Sequence, residues 1–164
     1  MKNRPVWLLL PLAALVLDWL SKAWIMASIR EGETREVIPG FFNLTLGFNR
    51  GAIFGSLTGL PEWARFLIFT LAGLAALAYF GHLFLKEGTP VLERLALGLI
   101  LGGAVGNGLD RLVHGHVVDF LDVVLAGWHY WTFNLADSFI VCGAALWGIQ
   151  ALKASKPDGA PANS

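Results

Sequence analysis

Residues 102–138 read GGAVGNGLDRLVHGHVVDFLDVVLAGWHYWTFNLADS and gather Asn107, Asp110, Arg111, Asp119, Asp122, Asn134 and Asp137 into a chain that is otherwise apolar. Apolar runs enter and leave this stretch, so its acids lie at or just inside a membrane boundary. An ionisable group there costs a few kcal/mol or more and marks a functional site by default. Asp119 in VVDF and Asp137 in NLADS have apolar neighbours and no Lys or Arg close in sequence. Two carboxyls brought together in a low-dielectric site, where two helices meet, cannot both ionise; one pKa rises and the pair shares a proton. The ionised member then takes a proton from water while the protonated one donates to a carbonyl, the requirement of acid proteolysis. Such a pair titrates as a unit, and spacing alone does not say which acid is the base. Helix N-capping by Asn134 or Asp137 is the competing structural reading.

The remaining polar residues read more simply. Asp18 and Lys22, four apart on one helix face, form an ion pair that ties helices together. Asn107, Asp110 and Arg111 also share a face; Arg111 suits a carboxylate or carbonyl, with Asp110 placed to orient it. His114, His116 and His129 lack a zinc spacing such as HExxH and read as solvent-facing, so no metal or cofactor is expected. Cys142, the single cysteine, allows no intrachain disulfide and reads as a small buried residue.

Positioning these groups falls to helices in a membrane. The 164 residues suit one domain. With 55% hydrophobic residues, seven Trp, eleven Phe and a mean hydropathy of +0.60, they carry more apolar surface than a soluble domain buries. Lys and Arg balance Asp and Glu, which argues against nucleic acid as a partner. Four spans reach the roughly 20 residues a bilayer requires: 6–27, 63–85, 91–112 and 135–152. The first, with Asp18 and Lys22 inside it, reads as a retained helix rather than a cleaved signal peptide. Glycines 98, 102, 103, 106 and 108 let the third approach its neighbours closely and make it central.

Lys2, Arg4, Lys86, Arg94, Lys153 and Lys156 flank one side of the spans, which puts both termini in the cytoplasm and loops 28–62 and 113–134 outside. Trp24, Trp63, Trp128, Tyr130 and Trp131 fall near that outer boundary. In the first outer loop, residues 42–48 alternate apolar and polar as a strand does, and 52–54 offer a partner strand after the turn-prone Asn49-Arg50-Gly51. The expected fold is therefore an all-α integral membrane protein with a small sheet in its first outer loop. The domain spans 1–155, and a disordered cytoplasmic tail spans 156–164.

Five motifs in order, DWLSK at 18–22, NRGAIFG at 49–55, GGAVGNGLDR at 102–111, VVDF at 117–120 and FNLADS at 133–138, resemble bacterial lipoprotein signal peptidases, the signal peptidase II family. The resemblance implies an inner-membrane aspartyl endopeptidase. Its substrates would be prolipoproteins carrying a diacylglyceryl-cysteine, cleaved on the N-terminal side of that cysteine. It implies Asp119 and Asp137 as the catalytic pair. Asn49, Asn107, Arg111 and Asn134 would hold the substrate backbone and shape the site, while Asp18, Lys22 and Asp110 support it. The histidines match no family motif.

Membrane lipids would contact the enzyme directly, and a monomer is expected. The outer topology suits a secreted precursor, whose acyl chains could enter laterally between helices. The outer sheet could clamp the extended peptide by strand addition. A small proton-coupled transporter is the alternative, though it would place acids near mid-membrane and often carry an internal repeat. A lipid-binding scaffold without chemistry is a third reading, under which neither aspartate would matter.

Overall fold

Apolar sequence of this length satisfies its backbone groups inside a bilayer by forming helices. The computed structural model describes residues 4–50 and 59–154. A short helix, α1 (Arg4–Trp7), leads into α2 (Leu9–Ser28), and α3 (Glu62–Leu85), α4 (Val91–His114) and α5 (Leu135–Ala154) follow. The four long helices are all long and apolar enough to cross a membrane, and their bounds fall within a few residues of the expected spans. The chain beyond α5, expected to be a disordered tail, lies outside the described residues.

The third span is central, as its glycines suggest: α4 packs against α2, α3 and α5. Gly102 meets Pro11 and Ala14 of α2, and Gly106 meets Asp18, each so closely that an added Cβ would lie 2.5–2.7 Å from the nearest atom. Bare backbone at these turns lets α2 reach α4. Ala96 and Ile100 are buried where α4 meets Gly143 of α5, and Leu97 is buried beside them in sequence, whereas large residues such as Leu17, Leu71 and Val141 face outward where lipid would lie.

A four-stranded antiparallel sheet caps one end of the bundle in the order β1 (Thr34–Ile38), β2 (Phe42–Asn49), β3 (Val117–Leu125), β4 (Trp128–His129). The expected strand in the first loop is present as β2, but its neighbours differ from expectation. Residues 52–54 lie outside the described residues; β2 pairs with β1 on one side and with β3, from the second loop, on the other. The sheet thus joins both loops. A shift in register between Leu44 and Gly47 bends β2 and sets Gly47 opposite Asp119.

One face of the sheet rests on the bundle. Leu46, Val118 and Phe120 are buried with Ile25 and Ile29 from the end of α2, and Leu44, Phe48 and Leu135 pack around them. A strand face that covers the ends of two helices, α2 and α5, holds β3 firmly over the bundle. The Cys142 side chain is exposed on α5 rather than buried, because its face of the helix turns away from α4.

Candidate active site

The two aspartates reach the site from different kinds of element. Asp119 was expected at a meeting of helices; it sits instead on β3, one of a run of buried residues from Val117 to Phe120. Asp137 lies in the first turn of α5. Helix α4 ends at Gly115, whose φ of 74° turns the chain back so that its N–H caps the Arg111 carbonyl at 3.1 Å. Strand β3 starts two residues later, over the outer end of α4.

Asn134 joins the pair. Its backbone N–H donates to Asp137 Oδ2 at 3.2 Å and its Oδ1 accepts from the Asp137 N–H at 2.9 Å. That reciprocal arrangement is a capping box, so the capping reading of these residues holds. It does not compete with a site, because the same Asn134 donates through Nδ2 to Asp119 Oδ1 at 2.8 Å. A single buried residue therefore touches both carboxylates.

The other asparagines complete the cradle. Asn49, at the end of β2, donates Nδ2 to Asp119 Oδ2 at 3.0 Å. Asn107 donates Nδ2 to Asp137 Oδ1 at 2.7 Å and accepts from Asn134 Nδ2 at 3.1 Å. Each aspartate thus has both oxygens engaged by amide N–H groups, a donor set matched to carboxylate geometry. Burial pushes the Asp119 carboxyl up to about 6. The neighbouring Asp137 adds to the rise, while Asn49, Asn134 and Lys22 restrain it. Asp137 sits at a helix N-terminus, where the backbone dipole favours negative charge.

Beneath the aspartates lies a buried cation. Lys22 Nζ is 2.7 Å from Asp18 Oδ2 and 2.9 Å from Asp110 Oδ2, and it donates to Asn107 Oδ1 at 3.1 Å. Asp18 Oδ1 in turn accepts from the Ala136 N–H at 2.9 Å, and Asp110 Oδ2 from the Val118 N–H at 3.1 Å. The expected Asp18–Lys22 pair is present, and its partners tie α2, α4, α5 and β3 to one point. Such a cluster withstands burial because every charge is paired and hydrogen-bonded. It also fixes an amide: with Lys22 and Asn134 both donating to Asn107 Oδ1, the Asn107 nitrogen can only face Asp137.

Asp110 was expected to orient Arg111; its Oδ2 goes to Lys22 and Val118 instead. The two side chains diverge although they are neighbours on α4. Arg111 Nη1 donates to the Asn107 carbonyl at 3.0 Å, and its guanidinium lies 5.7 Å from the centre of the Phe69 ring on α3. Asn49, Arg50, Trp63, Phe66 and Arg111 line an adjoining cavity of about 320 Å³.

The histidines are only partly as expected. His116 packs on Phe48 with ring centres 4.4 Å apart rather than facing solvent alone. His129 is exposed but holds Asp122 through Nδ1 at 3.0 Å, and Asn43 donates to the same carboxylate at 2.9 Å. This Asn43–Asp122–His129 cluster, which fastens β4 to the sheet, gave no signal in the sequence beyond the acid itself. Among the described residues, no three His, Cys, Asp or Glu side chains converge as metal ligands would.

A membrane-spanning bundle capped by a sheet, with one buried and one half-buried aspartate joined by one asparagine, defines a class of membrane protein whose polar site lies at the bundle's end. Its relatives are specific. The family model described as signal peptidase (SPase) II matches residues 10–153, and the chain belongs to that family. A lipoprotein signal peptidase of Burkholderia vietnamiensis is 46% identical over 140 residues, covering 85% of this chain and 83% of the relative. One of Chromobacterium violaceum is 42% identical over 150 residues, covering 91% and 92%. Two solved structures described as bacterial membrane enzymes share the fold. The first has a TM-score of 0.81 at 30% identity, with 96% of each chain covered. The second has a TM-score of 0.76 at 34% identity, with 92% of this chain and 95% of that one covered. Membership in a peptidase family removes the support for a transporter, and the acids gather at one end of the bundle rather than midway along it.

Proposed function

We propose that this protein is an aspartic endopeptidase that removes signal peptides from prolipoproteins, cleaving before a diacylglyceryl-modified cysteine. The family carries the peptidase activity and the lipoprotein substrates. The aspartic mechanism rests on one observation above the others: Asn134 hydrogen-bonds both Asp119 and Asp137.

Asp137 acts as the base and takes a proton from water. Asp119, whose carboxyl is pushed up to about 6, is the protonated member and donates to the scissile carbonyl oxygen as water adds to its carbon. The resulting gem-diol then collapses: Asp137 passes its proton to the leaving nitrogen, a diol hydroxyl returns a proton to Asp119, and the C–N bond breaks with both acids restored. Asn49, Asn107 and Asn134 hold the two carboxyls in place, and Arg111 offers its remaining N–H groups to a substrate carbonyl. Asp18, Lys22 and Asp110 hold the elements together. No residue from a second chain is needed, which supports action as a monomer.

The lysines and arginines at the opposite end of the bundle favour a cytoplasmic location for both termini and a site at the outer face of the inner membrane. Strand addition to β2 does not fit this reading, because both of its edges are already paired.

The direct test is cleavage of a diacylglyceryl-modified lipobox peptide by the purified protein, alongside Asp119→Asn and Asp137→Asn. Each variant should lose at least a thousandfold in kcat while keeping its helix content, and EDTA should have no effect on the parent. Folded variants that cleave like the parent would show that the aspartates are not the catalytic pair.

A further inference from the structure

The helix pair α3–α4 carries a second hollow that the peptide chemistry does not use. It is an apolar groove of about 170 Å³, lined by Gly73 and Leu77 of α3 and by Val105 and Gly108 of α4. Phe69 and Arg111 line both this groove and the cavity beside Asn49, so the two hollows are neighbours that share these two side chains. At the membrane end the lining is hydrocarbon. At the site end it is a cation lying over an aromatic ring.

We infer that this groove binds one acyl chain of the substrate's diacylglyceryl group, with Arg111 at its mouth facing the ester carbonyls. The inference rests on the proposed lipoprotein substrate. Three features favour an acyl chain over the helix of a signal peptide. A helix with side chains is about 10–12 Å across and cannot enter a hollow of this size, whereas an extended hydrocarbon can. From Gly73 to Leu77 the groove follows about 6 Å of helix at 1.5 Å per residue, enough to contact several methylenes in a row. The end nearest the aspartates carries a donor fork suited to ester oxygens, and the Arg111 group used on Asn107 leaves other N–H groups on that fork.

Two glycines make the groove testable without breaking the fold. A Cβ added at Gly73 or at Gly108 meets nothing within 4 Å, unlike one at Gly102 or Gly106. Gly73→Leu and Gly108→Leu therefore fill the groove and leave the helix seams intact. Gly148→Leu, on α5 and outside the groove but equally unobstructed, is the control.

The experiment measures kcat and KM of the full-length protein in lipid nanodiscs, using one lipobox peptide modified with chains of 4, 8, 12 or 16 carbons. The parent should show KM falling with chain length and then levelling off once the groove is full. Gly73→Leu and Gly108→Leu should raise KM about tenfold for the long-chain substrates, roughly the worth of two excluded methylenes, and leave the four-carbon substrate and kcat unchanged. Gly148→Leu should match the parent throughout. Leucine variants with the parent's chain-length profile would overturn the groove assignment, and so would a loss of kcat equal at every chain length. A parent that cleaves none of the substrates would instead count against the proposed activity itself.

Discussion

At the scale of single residues, the site depends on amides more than on charges. Asn49, Asn107 and Asn134 each turn a donor toward a carboxylate, and Lys22 decides which way Asn107 faces. This arrangement predicts the pH dependence. In the proposed mechanism Asp119 must carry its proton to act as the acid, and burial raises its carboxyl from the ordinary 3.8 to about 6. The protonated form dominates below that value and is lost as pH rises through it, so kcat should fall on the alkaline side of about 6. Asn49 donates to the ionised form and holds the value down, so Asn49→Ala should move the falling limb to higher pH. A limb that moves to lower pH in that variant, followed under single-turnover conditions, would assign the acid role to another group.

At the scale of elements, the site is only as precise as the fit of α2 and α5 against α4. The contrast among the glycines of α4 gives a graded test. At Gly102 an added Cβ would meet the Pro11 carbonyl oxygen, which is backbone, and the Ala14 side chain. At Gly98 it would meet the far end of the Leu10 side chain, which can swing aside. Gly102→Ala should therefore cost about 1–3 kcal/mol, the usual range for overpacking a close seam. Gly98→Ala should cost distinctly less. Thermal unfolding in detergent gives the order, and equal losses would mean that the seam is looser than this packing implies.

At the scale of the whole molecule, the chain divides its ends by chemistry. Arg4, Lys86, Arg94 and Lys153 lie toward one end of the bundle, while the sheet, the aspartates and the outer tryptophans collect at the other, together with several arginines that are offset by acids. Under the proposed topology, the basic end faces the cytoplasm and the site faces outward. In a Cys142→Ala background, Glu31→Cys near β1 should react with a membrane-impermeant maleimide on intact cells. Glu87→Cys, in the link from α3 to α4, should react only after permeabilisation. The reverse pattern would invert the topology and put the site in the cytoplasm.

The sequence by itself determined the four spans, the central place of α4 and the strand at 42–48, and it singled out the polar residues that the structure gathers at one end of the bundle, because these depend on local composition and on motif spacing. An apolar run long enough to cross a bilayer has little choice but to be a helix. Other features were legible but easily misread. The β-branched VVDFLDVVL run followed by Ala126-Gly127 is a hairpin signal, and the structure has both turn residues at positive φ, 50° and 81°. Next to the apolar spans, that run passes for a helix end, which is why Asp119 was expected where helices meet. Only the tertiary structure decided that β2 pairs with β3, that Lys22 reaches Asn107 from 85 residues away, and that Asn134 serves both aspartates. Those contacts join residues distant in sequence, and they form only once helix packing has brought α2, α4, α5 and the sheet to one point.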